Sequence, residues 1–180
     1  MNKYNKTIEK ELLRFKRKSV DPQIIDRFLK KIRSTNRLTK EVNIDEHICS
    51  FFIPFDPKTG SIYLGHHIKA DSWIPPGGHI DELEHPVDTV VREFFEELEH
   101  QIVKDQVTPL NLSIKDISDN PRNPCKVHYD LWYVVNVPMK DFAFIKREYY
   151  DARWMTIDEA MFKMDIPLYK EIVRSVKDAL

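Results

Sequence analysis

Apolar positions recur along this chain with two different periods, and the switches between them outline its elements. From residue 5 to residue 18, charges alternate with Ile8, Leu12, Leu13 and Phe15, which predicts an amphipathic helix. Asp21 followed by Pro22 is a helix start, with a side-chain acceptor at the cap and proline in the first turn. Ile24, Ile25, Phe28, Leu29 and Ile32 then return at helical spacing, and the polar run 34–39 ends a helical hairpin. From His47 to Phe55 the apolar positions become nearly continuous, as in a strand buried on both faces, and Asp56-Pro57-Lys58-Thr59-Gly60 turns the chain. Ser61 to His66 is its expected hairpin partner.

The second half repeats the alternation. A helix is expected from about Pro86 to Glu99, strands over Pro109 to Ile117 and Lys126 to Val137, and a short strand at Arg153 to Met155. Thr156 with Glu159 forms a capping box ahead of Ile157, Ala160, Met161 and Met164. Pro167 opens a last helix with Leu168, Ile172, Val173 and Val176 inward. Strands, a helix, more strands and terminal helices give an α+β reading. Two units are expected: a basic helical hairpin over residues 1–40, packed on a main domain over residues 41–180.

Charge sharpens that division. Residues 1–40 hold thirteen Lys and Arg against four Asp and Glu, while the remainder holds fifteen against twenty-five. Docking of a basic segment on an acidic body is the plainest account; attraction of a polyanion, RNA included, is open but not favoured without interleaved aromatics. At 42% hydrophobic and 32% charged, the chain has material for a full core. No apolar run reaches the roughly 18 residues of a membrane span, and the N-terminus lacks the apolar stretch of a secretion signal. Cys49 and Cys125 are too few for a disulfide framework or a thiolate zinc site. The expectation is a cytoplasmic protein without a membrane anchor.

The chemistry concentrates in Pro75-Pro76-Gly77-Gly78-His79 and in Arg92-Glu93-Phe94-Phe95-Glu96-Glu97. On a helix turning about 100° per residue, Glu96 and Glu97 lie roughly 60° and 40° to either side of Glu93. Val87, Val90, Val91, Phe94, Phe95 and Leu98 occupy a separate arc. Carboxylates this close repel, so a cation between them is expected, and hard oxygen ligands suit magnesium or manganese.

This block resembles the signature of the Nudix hydrolases: glycine, five residues, glutamate, seven residues, then Arg-Glu-apolar-any-Glu-Glu-any-Gly-apolar. Gly78, Glu84, Arg92, Glu93, Glu96 and Glu97 match at the family's spacing; Glu99 stands where the family has glycine, and His100 where it has an apolar residue. The resemblance implies an α/β/α sandwich with a mixed sheet over about residues 42–165, here with the N-terminal helical hairpin added. It implies magnesium, with manganese as a substitute, and cleavage of the pyrophosphate bond of a nucleoside diphosphate linked to another group. By position, Glu96 and Glu97 are implied as metal ligands, Glu93 as a third ligand or general base, and the Gly78 carbonyl as a further ligand. Arg92 is implied to orient the carboxylates and Glu84 to support the loop. A further carboxylate is implied just before the tryptophan-containing strand, where Glu148 is preferred over Asp151 for its reach.

Other positions are candidates for substrate contact. Gly77, Gly78 and His79 form the turn; His128 and Asp130 share one side of a strand. His79 reads first as a turn-stabilising residue, His66 and His67 as surface, and Trp73 as packing. Among subgroup marks, the proline of ADP-ribose pyrophosphatases falls on Asp116 and the tyrosine of dinucleoside polyphosphate hydrolases on Ser118. The substrate therefore stays open among nucleoside triphosphates, nucleotide sugars and similar compounds. Alternatives are a nucleotide-binding regulator with weakened catalysis, or an RNA 5′-end processing or binding protein. Many relatives are dimers, so a homodimer is also open.

Overall fold

The computed structural model describes residues 1–16, 20–117 and 124–179. Positions 17 and 18 of the expected first helix, and Ser118, lie outside the described residues. Helix α1 (Lys3–Leu12) runs into a short 3-10 turn, and α2 (Pro22–Ser34) starts where Asp21 accepts a hydrogen bond from Gln23 N at 2.8 Å. Strands follow as β1 (Glu46–Asp56), β2 (Ser61–His67), β3 (Ser72–Ile74) and β4 (Gly77–His79). Helix α3 (Pro86–Leu98) precedes β5 (Val107–Asp116), β6 (Val127–Asn136) and β7 (Tyr149–Met155), and α4 (Ile157–Lys163), α5 (Pro167–Arg174) and α6 (Val176–Ala179) end the chain. The Thr156–Glu159 capping box forms as the sequence predicts, and the strand expected at Arg153 begins earlier, at Tyr149.

The sheet runs β3-β2-β1-β6-β5, with β1 and β6 parallel along their lengths and the other pairs antiparallel. The second edge of β1 is shared. Near its start, Cys49, Ser50 and Phe51 pair with β4; at its end, Phe55 and Asp56 pair with β2. Strand β4 replaces the simple glycine turn that the sequence suggested. Gly77 permits it: at φ 145° only glycine fits comfortably, and a Cβ there would lie 2.5 Å from Ser50 O and 2.6 Å from Phe51 Cα.

Alternation along β1 divides the core into two layers. Ile48 and Phe52 point to one side with Leu131, Tyr133, Ile8, Phe15, Phe28 and Phe94; Cys49, Phe51 and Ile53 point to the other with Trp132, Tyr169, Ile172 and Val173. Helices α1, α2 and α3 thus cover one face and α4, α5 and α6 the other, giving the expected α+β sandwich around a mixed sheet. The N-terminal helices add polar ties to their apolar contacts. Asn5 Nδ2 donates to Ile32 O and Thr35 O, each at 2.6 Å, and the buried Glu11 accepts from Tyr133 Oη at 3.1 Å and from Arg14 at 2.9 Å. Removing any of the fully buried Phe side chains here costs about 3–5 kcal/mol.

Candidate active site

Helix α3 supplies the acidic wall of a cleft of about 370 Å³. His85 caps it, accepting from Val87 N at 3.2 Å, and Pro86 fills the first turn. Val87, Val90, Phe94 and Leu98 are buried, which turns Arg92, Glu93, Glu96 and Glu97 away from the core and toward β4. Phe95, expected on the apolar arc, is 52% exposed, because it lies at the edge of that arc beyond Val91.

Arg92 ties the wall together. Nε donates to Glu84 Oε1 at 2.9 Å, Nη2 to Glu84 Oε2 at 2.9 Å and to His79 O at 3.1 Å, and Nη1 to Glu93 Oε1 at 2.8 Å and Glu96 Oε2 at 3.2 Å. Burial pushes Glu84 up, but the hydrogen bonds from Arg92 and Thr89 and the Asp81 N–H outweigh it and hold the carboxyl below its ordinary range. Those same bonds keep the Arg92 guanidinium charged. The orienting role implied for Arg92 and the loop support implied for Glu84 thus have direct contacts behind them.

The carboxylates differ in environment. Glu96 is half-exposed. Desolvation raises Glu93 to about 7 against the pull of Arg92. Glu97 is 3% exposed and is raised well above its ordinary value, first by burial and then by Glu93. Its Oε2 accepts from Tyr149 Oη at 2.7 Å and Gly77 N at 3.3 Å, and among the described residues no side-chain cation reaches it. Glu148 lines the same cleft and adds its charge to Glu93 and Glu97. Gly78 lies against Glu93 so closely that a Cβ would overlap Oε1. A crowded, desolvated set of oxygens beside a backbone that only glycine allows fits a hard divalent cation.

The matches with known proteins bear on the family and the fold. A family model for the NUDIX domain matches residues 46–176. The chain belongs to the NUDIX domain family. Members of that family are pyrophosphohydrolases acting on acid anhydrides. The structure of the E. coli dihydroneopterin triphosphate pyrophosphohydrolase is similar with TM-score 0.64 at 15% identity, over 74% of this chain and 96% of that one. The C. elegans Ap4A hydrolase is similar at 0.55 and 19%, over 73% and 96%. The NUDIX domain of Shewanella oneidensis NrtR, complexed with ADP ribose, is similar at 0.60 and 14%, over 73% and 86%. At these identities the likeness is one of fold. No curated protein sequence matches the chain.

The wall opposite α3 holds residues that sequence reasoning placed less well. His79 and His128 line the cleft, but both are largely desolvated, which lowers His79 to about 2 and His128 to about 3. Asp130 is fully buried and is not among the residues lining this cleft; its Oδ2 accepts from Ser113 Oγ at 3.0 Å, and desolvation raises it to about 7. His67, read as surface, lines the cleft and accepts from Lys69 N and Ala70 N at 3.2 Å. His66 stacks on Trp73, whose ring Arg153 and Lys163 also approach, at 5.1 and 5.3 Å from the centroid. Tyr149, Lys40, Lys69 and Lys115 line the cleft unannounced by any local motif. The position of Tyr149 directly after Glu148 was the one available signal. No helix among the described residues is long and apolar enough to cross a membrane.

Proposed function

We propose that this NUDIX domain is a magnesium-dependent hydrolase that cleaves the pyrophosphate bond of a nucleoside diphosphate linked to another group, such as a nucleoside triphosphate or a nucleotide sugar. The observation that carries the reading is the convergence of Glu93, Glu96, Glu97 and Glu148 with Gly78 in one cleft, Glu97 being almost fully buried. Magnesium, or manganese in its place, would be held by Glu93, Glu96, Glu97, Glu148 and the Gly78 carbonyl. When bound, it supplies neutralisation of the anionic pyrophosphate and acidification of water.

The chain's own groups do the rest. Lys40, Lys69 and Lys115 stand on the cleft opposite the carboxylates and attract phosphate oxygens. Lys115 Nζ lies 4.3 Å from the centroid of the Tyr169 ring, which limits its swing. Arg92 fixes the Glu93 carboxylate, which, where it does not ligate the cation, takes the proton of the attacking water. Water's oxygen then bonds to phosphorus as the bridging P–O bond breaks, and the departing phosphate leaves with the electron pair. Tyr149 and the Gly77 N–H hold Glu97 in place through that change.

The test is a phosphate-release assay over nucleoside triphosphates, nucleotide sugars, dinucleotides and capped RNA, with magnesium and then manganese and with Glu97→Gln in parallel. Turnover that the variant loses supports the reading and identifies the substrate. Equal rates for wild type and variant on every compound overturn it.

A further inference from the structure

Three histidines and a cysteine meet at and just beneath the cleft wall where His79 and His128 line it, the histidines brought there by the sheet. Parallel pairing sets His47 of β1 beside His128 of β6, and β4 lies along the other edge of β1 with His79 opposite Cys49. Cys125 immediately precedes β6. The imidazole centroids are 4.9 Å apart for His47 and His79, 4.9 Å for His47 and His128, and 5.4 Å for His79 and His128. One donor atom from each of these histidines and Cys125 Sγ all lie within 4.8 Å of one another.

Two hydrogen-bonding facts point to a ligand at the centre. His47 is 0% exposed and its Nδ1 sits 3.0 Å from Asn43 O. A carbonyl only accepts, so Nδ1 carries the proton and Nε2 is left with a bare lone pair. That Nε2 has no hydrogen-bond partner, and neither does Nε2 of His128, which is 7% exposed. A bare buried acceptor on His47 and a second unpartnered ring nitrogen on His128, in a cluster whose donor atoms lie within 4.8 Å, are costly unless something electron-poor sits there. A backbone carbonyl gripping the far nitrogen of the ring is also the arrangement that sets a metal-binding imidazole.

From this geometry we infer a second metal site, formed by His47 Nε2, His79, His128 and Cys125 Sγ, that takes a borderline-soft divalent cation such as zinc. Three nitrogens and one thiolate are a tetrahedral donor set, and its chemistry differs from that of the carboxylates. Tetrahedral bonds of roughly 2.0–2.3 Å place donor atoms roughly 3.3–3.8 Å apart. Cys125 Sγ and His79 Nε2 are already 3.8 Å apart, and the other donors, all within 4.8 Å of one another, would draw in by about 1 Å on binding. The cation bridges β1, β4 and the entry to β6, and so braces the strand that carries Gly77 and Gly78. The site does not depend on the hydrolase reading.

Cobalt is the probe, because a thiolate ligand gives it a near-ultraviolet charge-transfer band and a tetrahedral field gives it intense visible bands. The full chain, saturated with magnesium to occupy the carboxylates, is titrated with cobalt, and bound cobalt is then displaced by zinc. One equivalent with both features is expected. Cys125→Ser should lose the charge-transfer band, His47→Gln should weaken zinc at least about 10-fold, and Glu97→Gln should change neither. Absence of the charge-transfer band in the wild type overturns the inference, and that result needs no variant to fold. So does zinc binding that survives Cys125→Ser and His47→Gln unchanged but is lost in Glu97→Gln, since zinc would then be held by the carboxylates.

Discussion

One wall of the cleft is written in nearby residues of a single helix, and the other rests on a cluster gathered from His47 of β1, His79 of β4, His128 of β6 and Cys125 just ahead of β6. The helical wall is anionic, tied by Arg92, and crowded with oxygens; the sheet wall is a set of imidazoles and a thiol with two nitrogens unpartnered. The two donor sets prefer different cations, hard on α3 and borderline on the sheet, although Gly78 and His79 are adjacent in sequence. A short strand can therefore serve both walls at once, its backbone facing one and its next side chain the other.

The comparison breaks most sharply at Glu97. Glu97→Gln keeps the shape and the Tyr149 contact but removes the buried charge, and turnover should fall on the order of 10³-fold, equivalent to roughly 4 kcal/mol of barrier. Steady-state rates with magnesium check it. A smaller effect is expected at Arg92, which donates to three carboxylates and to His79 O. Arg92→Lys cannot keep that fork, so kcat should drop about 10–100-fold and more magnesium should be needed for half-maximal rate. A magnesium titration separates the two changes.

The difference in how the walls are built also explains what the sequence could show. The spacing from Gly78 through Glu97 is local, so one helical wheel sets the three glutamates on one face and the matching motif supplies the roles. The fold was readable for the same reason: β1, β6, the Asp21–Pro22 start and the Thr156–Glu159 box all declare themselves in short windows. Strands β3 and β4 did not, because three residues of Pro-flanked or glycine-rich chain carry no period. The histidine cluster was invisible because parallel β1–β6 register, a long-range fact, is what makes His47 and His128 neighbours. Counting cysteines argued against a thiolate site, and the proposed one differs in needing a single thiolate beside three imidazoles. Asp130 was placed on the correct face of its strand, and burial rather than direction decided that it lines no cleft.

The walls should also respond oppositely to pH when metal is chelated. Burial raises Glu93 to about 7 and raises Glu97 as well, so the folded state holds protons that the unfolded chain has released. The stabilising contribution of Glu93 is complete below about pH 4.5 and is lost as pH rises through about 7, and that of Glu97 has the same sign. His79 and His128 are lowered to about 2 and 3, so their contribution is complete above about 6.5 and is lost as pH falls. In chelator, between pH 6.5 and 7.5, the carboxylates dominate. Denaturation there should show stability falling with pH by about 1 kcal/mol per unit for each carboxyl still holding its proton. Glu97→Gln should flatten the slope, and magnesium should reduce it to the part contributed by the buried Asp130, which is also raised to about 7. A slope that rises with pH across that window would assign control of stability to the imidazoles.

The mildest departure lies where α3 ends. Glu99 adopts φ 48° and ψ 31°, the left-handed cap that glycine takes freely, and its N–H donates to Phe95 O at 2.9 Å. The helix therefore stops at the family's usual point despite the substitution and does not run a further turn. A non-glycine residue in that conformation costs on the order of 1 kcal/mol, and its negative charge meets the negative end of the helix dipole. Glu99→Gly should accordingly raise Tm by about 2–4 °C in a chain of this size while leaving turnover unchanged, since Glu99 touches neither wall of the cleft. Thermal melts with and without magnesium decide it. A gain confined to the metal-bound protein would mean that the cap is coupled to the carboxylates through α3, whereas an equal gain in both states keeps the cost local to the helix exit.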